Sequence, residues 1–161
     1  MRGVYNIIAS AVTVASSAVT LLFVNPGTTV SLKIRRVEVS QGGVTATLMQ
    51  RLQFVTQVTA FPTLTAATPQ KTTPIDQASA ITGGTAGAAG TAGINASAEG
   101  GGAKTVLREF TFNVLTGFLW VAAQGEEYVM SAGGSSGFGV YLAATPGTLS
   151  GWTGALEFEE V

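Results

Sequence analysis

The chain has 161 residues, which is enough for one domain with a sizeable core. Only 11% of the residues are charged, against about 25% in a typical soluble domain, so we expect the protein to bury part of its surface against partners. The net charge of −1 gives no sign of the basic face that nucleic-acid binding requires, so nucleic acid is not an expected partner.

The first apolar stretch, residues 4–24, is typical of β-strands. Together with the two residues before it, this stretch superficially resembles a signal peptide. Polar residues interrupt it at Asn6, Ser10, Thr13, Ser16 and Ser17. These interruptions argue against a transmembrane helix, and the Val and Ile content favours β-structure. We therefore predict strands over 4–9 and 18–24 and no membrane segment.

The segment 28–40 carries the clearest strand pattern. Its apolar positions are even-numbered up to Ile34 and odd-numbered from Val37 onward. Because side chains alternate between the two faces of a strand, this change of parity requires one extra residue. We therefore predict a β-bulge at Arg35-Arg36.

The rest of the chain continues the all-β pattern, with Gly-rich turns between short apolar runs. We predict one antiparallel β-sandwich domain over residues 1–161, similar to a jelly roll, with an immunoglobulin-like sandwich as the alternative. The further predicted strands are 44–56, 106–114, 118–123, 126–130, 138–144 and 152–160. The predicted core contains Leu32, Ile34, Leu48, Phe54, Phe110 and Phe112.

Residues 59–105 differ in composition and are predicted to be a long insertion between strands. Within them, 82–103 is nearly all Gly, Ala, Thr and Ser, whose side chains bury too little apolar area to offset their ordering entropy. We expect a neighbouring subunit to order this part, so its removal should leave the sandwich folded; an ordered loop on its own domain is the alternative. The candidate interface residues are Thr82, Gly84, Ala89, Gly93, Ile94 and Gly101.

The sequence offers little catalytic chemistry. It contains no His and no Cys, which excludes Ser–His triads, Cys nucleophiles and the usual zinc and iron sites. Glu126 and Glu127 are adjacent on a predicted strand, so they point to opposite faces and cannot act as a pair. No Gly-rich stretch continues into the Lys-Ser/Thr and helix of a phosphate loop. We predict no enzyme, no cofactor and no metal site.

Two weaker binding patterns concern acidic and aromatic residues. Glu157 and Glu159 share a strand face and could hold Ca²⁺ weakly, although a solvated acidic strand that discourages edge pairing is favoured. Trp152 follows a glycine beside a turn, so it could be exposed and form, with Tyr141, the sugar-stacking platform that a carbohydrate-binding module would need. Trp120 lies in an apolar run and is expected in the core.

Three stretches of the chain carry a resemblance to a known group of proteins. They are VSLKIRRVEVSQ at 30–41, the Thr-Pro and Pro-Ile-Asp pieces within 68–76, and GALEFEEV at 154–161. These resemble small β-rich proteins encoded among the virion genes of tailed phages, several of which are head decoration or cement proteins. The resemblance implies a jelly-roll-like sandwich, trimers on the outer capsid surface, a major capsid protein as partner and no catalytic residues.

The expected function is therefore that of a virion structural protein. Many copies of a capsid decoration protein would bridge neighbouring capsid subunits and stabilise the shell from its outer surface. We expect the chain to associate with itself, as a homotrimer, and with the major capsid protein. The alternative is a carbohydrate-binding or adhesin-like module of a tail or head fibre or of an extracellular filament.

Overall fold

The computed structural model describes residues 3–43, 45–74 and 77–161. The expected strand start at Val44 lies outside these residues, as do Ile75 and Asp76 of the Pro-Ile-Asp piece. The described chain contains no helix, and therefore none with the length and apolarity of a membrane span. Its thirteen strands are β1 (Gly3–Val12), β2 (Val19–Asn25), β3 (Leu32–Gln41), β4 (Met49–Val58), β5 (Thr63–Ala66), β6 (Gln70–Lys71), β7 (Thr82–Gly83), β8 (Thr91–Ala98), β9 (Ala103–Asn113), β10 (Phe118–Val121), β11 (Tyr128–Met130), β12 (Ser136–Leu142) and β13 (Trp152–Glu160).

The strands form two sheets that pack face to face. The first sheet has the order β10-β3-β13-β1-β6, with β11 also paired to β3, and the second has the order β5-β8-β2-β12-β4-β9, with β7 paired to β8. All pairs are antiparallel except the short β7–β8 pair. The pairs β1–β13, β2–β12, β3–β10 and β4–β9 are nested along the chain, and β1 to β4 alternate between the two sheets. This is the strand order of a jelly roll, and the predicted fold is confirmed.

Alternating apolar side chains from both sheets fill the space between them. Leu32, Ile34 and Phe54 are fully buried, as expected. The Phe54 ring lies 5.1 Å from the ring of Phe110 and 5.2 Å from that of Trp120. Both contacts are edge-to-face. Phe110 lies in the same sheet as Phe54, whereas Trp120 lies in the other sheet, so the contact of Phe54 with Trp120 joins the two layers.

The prediction that Leu48 belongs to this core is wrong. Leu48 is 38% exposed, whereas Phe112 is buried and Phe110 packs against the core from the sandwich edge. The reason is that β4 begins at Met49, so the alternation that places Leu52 and Phe54 inside does not extend back to Leu48.

The predicted β-bulge in β3 is confirmed. In the pairing of β3 with β13, Glu157 lies opposite Arg36 and Phe158 lies opposite Ile34, which leaves Arg35 as the extra residue. The bulge allows Ile34 and Val37 to point into the core although they are three positions apart, and both are fully buried.

The predicted strand at 126–130 is shorter than expected. It begins at Tyr128, and Glu126 lies in the preceding turn, where its backbone N–H donates a hydrogen bond to the carbonyl of Ala123. Glu126 and Glu127 therefore do not lie on a strand.

Residues 59–102, here named the strap, connect β4 to β9 and take part in the fold. Strand β8 pairs with β2 along the edge of the second sheet, and β6 pairs with β1 along the edge of the first. Leu64, Ile81 and Ala92 of the strap are buried in the core. For residues 82–103, the alternative of a segment ordered on its own domain fits the structure, because β8 pairs with β2 and buries Ala92 and Ala96 in the core. The expectation that the domain's own core does not order these residues is wrong.

Candidate interaction surface

The two edges of the sandwich are built differently. At one edge the strap covers β1 and β2. At the other edge, here named the open edge, β9 ends the second sheet, and β10 with β11 ends the first. No described strand continues either sheet beyond the open edge. Contacts with other molecules are therefore most easily made there.

Two carboxylates fasten the strap to the sandwich. Glu160 in β13 is fully buried, and it accepts hydrogen bonds from the hydroxyl of Ser79 and from the backbone N–H of Ala80 at 3.0 Å. Glu99 of the strap accepts hydrogen bonds from the backbone N–H of Thr20 at 2.6 Å and from its hydroxyl at 2.7 Å. Hydrogen bonds to carboxylates are among the stronger ones in proteins, so the strap is held firmly by its own chain.

The base of the strap requires glycine. The backbone N–H of Gly102 donates to the carbonyl of Ala60 at 3.1 Å, where the two ends of the strap cross. A Cβ atom at Gly102 would overlap the carbonyl oxygens of Val58 and Thr59, whereas one at Gly101 would meet no atom within 4 Å. The crossing therefore depends on Gly102 and not on its neighbour.

The strap also covers part of the outer face of the second sheet. The ring of Phe23 in β2 lies over Gly137 of the neighbouring strand β12, in the space where a side chain at Gly137 would stand. From the strap, the Phe61 ring lies 5.9 Å from that of Phe23. Phe23 is fully buried as a result, so this outer face is closed to partners near Phe23.

The six candidate interface residues are distributed along the strap. Thr82, Ala89 and Gly101 are exposed, Gly84 and Ile94 are half-buried, and Gly93 is buried. Gly93 lies against Leu64 and the carbonyl of Gly84, and Ala89 lies beside Gly134. The structure thus gathers Gly84 and Gly93 but not the whole set. A role for these residues in an interface stays a prediction.

The open edge carries a row of exposed apolar side chains on the outer face of the first sheet. Leu119 is 59% exposed, Val121 60% and Val129 57%. Their neighbours Trp120 and Tyr128 point the other way, onto Phe54 in the core. Strands β10 and β11 are therefore apolar on both faces, which is uncommon for a strand whose outer face meets water.

Charged residues of β3 border this apolar row. Glu38 lies opposite Leu119, Arg36 opposite Val121 and Lys33 opposite Val129. Arg36 forms an ion pair with Glu38, whereas Lys33 has no ion-pair partner among the residues that the structure describes. An apolar centre with a charged border is typical of a protein–protein interface.

The free edges themselves are poor templates for adding another strand. In β9 the pairing with β4 shifts between Val106 and Arg108, so Leu107 forms a bulge. The guanidinium of Arg51 and the amide of Gln53 both bind Glu109 and lower the pKa of that carboxyl. Strands β10 and β11 are only four and three residues long. Bulges, charges and short strands all discourage edge pairing, so the apolar face remains as the surface available for contact.

Trp152 and Tyr141 do not form the exposed stacking platform that the carbohydrate-binding alternative requires. Trp152 is only 1% exposed, and its indole N–H donates to the carbonyl of Thr148 at 2.8 Å. Tyr141 is half-buried under the ammonium group of Lys104, and burial together with the charge of Glu99 raises the pKa of its phenol. The turn before Trp152 folds over the indole because its carbonyl satisfies the ring N–H. Trp120 packs against the core, as expected.

The acidic residues at the end of β13 have partners within the chain. Glu159 lies 3.0 Å from the guanidinium of Arg35, and Glu160 fastens the strap. No cluster of three acidic residues suited to a metal ion occurs among the described residues. Glu159 and Glu160 therefore serve the fold in this structure.

The fold and this surface define a jelly-roll β-sandwich with one covered and one open edge. Comparisons with protein-family models, with curated proteins and with solved structures gave no significant match.

Proposed function

We propose that this protein is a virion structural protein, a capsid decoration protein that binds the major capsid protein on the outer surface of the shell and stabilises it. The observation that carries the proposal is the exposed apolar row of Leu119, Val121 and Val129 on a chain with only 11% charged residues. A protein that remained free in solution would leave this row in water, at a cost that burial in an assembly removes.

One further observation supports a mechanical role. The strap is fastened to the sandwich by the partly buried hydrogen bonds of Glu99 and Glu160, so the sandwich can act as a rigid body when neighbouring subunits pull on it. Small contacts repeated over many copies add up to a large buried area, which raises the barrier to opening a shell. The alternative of a carbohydrate-binding module lacks the exposed aromatic pair on which it depended, because Trp152 is buried.

The proposal is tested on particles purified from cells that carry the gene for this chain. Mass spectrometry and immunogold labelling should find many copies on the outer surface of each particle. Particles made without the chain should release their DNA at a lower temperature, as measured with a DNA-binding dye, and added wild-type protein should restore the higher temperature.

A Val121→Lys variant should not restore it, whereas a Val106→Lys variant should, because Val106 is also exposed but lies in the other sheet. Absence of the chain from purified particles would contradict the proposal. Particles that are equally stable with and without the chain would contradict the stabilising role.

A further inference from the structure

The apolar row is bordered by charges of opposite sign at its two ends. Along β3, the carboxylate of Glu38 lies beside Leu119 at one end, and the ammonium group of Lys33 lies beside Val129 at the other. The five-residue separation of Lys33 and Glu38 spans roughly 16 Å of strand. This surface, residues Lys33, Glu38, Leu119, Val121 and Val129, is here named the apolar row surface.

A two-fold rotation makes the apolar row surface complementary to itself. With the axis parallel to the sheet, perpendicular to β3 and near Val121, the outer faces of two copies meet: Leu119 of one copy lies against Val129 of the other, and Glu38 lies against Lys33. Each of the two ends of the contact then pairs a carboxylate with an ammonium group, and the apolar side chains of the row lie between these ends. Such isologous contacts, in which the same patch serves both partners, are the commonest form of symmetric association.

Charges near the axis do not oppose this arrangement. The bulge brings Arg35 and Arg36 close to the centre, where like charges of two copies would meet. Each guanidinium is already paired, Arg35 with Glu159 and Arg36 with Glu38, and Glu157 lies beside Arg36 in the adjacent strand. The net charge of the whole chain is −1, so two copies repel each other little at long range.

We propose that the apolar row surface is the contact between two copies of this chain, related by a two-fold axis. The inference deepens the proposed function, on which it rests, by assigning this one surface to the contact between copies of the chain; the major capsid protein then binds another surface of the sandwich. This face-to-face contact is favoured over association by strand addition at the open edge, because the bulge of β9 and the shortness of β10 and β11 discourage edge pairing. It also differs from the homotrimer expected from the sequence.

The first test measures the mass of the purified full chain by light scattering over a range of concentrations. We expect a monomer–dimer equilibrium that Val121→Lys shifts to monomer, with the dissociation constant raised at least about tenfold. Val106→Lys is the matched control, since it makes the same substitution at an exposed valine of the other sheet, and it should leave the equilibrium unchanged. Thermal unfolding of each variant at a low concentration verifies that the monomer is folded.

The second test reverses the charges and examines the two-fold geometry itself. Lys33→Glu alone and Glu38→Lys alone each place like charges opposite each other across the axis, so both should weaken the dimer. The double variant with both changes restores opposite charges and should recover dimerisation to within about threefold of the wild type.

Several results would overturn the inference. They are a strict monomer at the highest soluble concentration, a trimer in place of a dimer, or a double variant that associates no better than the single ones. A monomeric chain found in abundance on particles would reject this inference and leave the proposed function standing. A two-fold dimer of a chain absent from particles would do the reverse.

Discussion

The two edges of this sandwich differ in whether their backbone groups and apolar side chains are covered. At the edge of β1 and β2, the strap supplies strands that pair with the exposed backbone, and it buries Phe23 and Ala92. At the open edge no strand of the described residues pairs with the outer side of β9, and apolar side chains such as Val121 remain in water. The covered edge contributes to folding stability, while the open edge leaves its apolar area exposed for the association that we propose. Changes at the two edges should therefore differ in which property they alter.

The largest effect is expected from removal of the strap's second half. Replacing residues 82–103 by a short Gly-Ser linker removes strand β8 and therefore exposes the edge of β2. It also removes the buried side chains of Ala92 and Ala96 and the carboxylate of Glu99 that binds Thr20. We expect the free energy of unfolding to fall by at least about 5 kcal/mol, which approaches the entire stability of a small domain. Circular dichroism during heating measures this loss of stability. An unchanged melting temperature would mean that residues 82–103 are an insertion on which the fold of the sandwich does not depend.

A smaller but sharper effect is expected at the crossing of the strap. Gly102→Ala should lower the free energy of unfolding by about 2–3 kcal/mol, because its methyl group overlaps the carbonyls of Val58 and Thr59. Gly101→Ala is the matched control and should change stability by less than about 0.5 kcal/mol. Urea titrations of both variants compare them directly, and equal effects at the two positions would mean that the two ends of the strap do not cross as described.

The buried anchor in β13 should contribute less than the crossing as a whole. Glu160→Gln replaces a carboxylate acceptor with an amide whose N–H groups face the N–H of Ala80, so we expect a loss of about 1–3 kcal/mol. Glu126→Gln, at an exposed turn, serves as control. Limited proteolysis should cut the strap of the Glu160 variant sooner than that of the wild type; identical cleavage rates in the two proteins would contradict the anchoring role.

The smallest effect on folding is expected at the open edge. Val121→Thr and Val129→Thr keep the branched shape of the side chain and should change the free energy of unfolding by less than about 0.5 kcal/mol each. Both should nevertheless weaken self-association, as measured by sedimentation. A loss of folding stability without a loss of association would mean that Val121 and Val129 contribute to folding and not to association, contrary to this comparison.

The sequence predicts the fold where polar and apolar residues alternate clearly. In β3 the alternation even locates the bulge, because one face of the strand is buried and a slip of parity is visible. The strands of the strap could not be predicted from the sequence, because β8 consists mainly of small residues. The pairing of β8 with β2 rests mainly on backbone hydrogen bonds, which leave no pattern in side-chain hydropathy.

The candidate surface was harder to predict than the fold. Strand β10 reads Phe-Leu-Trp-Val, and a run without polar residues does not indicate which of its faces meets water. The position of the strand at the end of a sheet decides that Leu119 is exposed while Trp120 is not, and this position depends on pairing with β3, far away along the chain. The burial of Trp152 likewise depends on the fold of the turn before it, which supplies the carbonyl of Thr148.

The place of β13 has a consequence for how the chain folds. This final strand lies between β3 and β1 in the middle of the first sheet, so that sheet cannot close until the residues up to Glu160 have left the ribosome. Until then β1 and β3 lack their shared neighbour, and their apolar faces stay available to chaperones or to wrong partners. Pairings between such distant segments also slow folding. We therefore expect the chain to fold in one late step, once Glu160 has emerged, and to aggregate when it is truncated before Trp152.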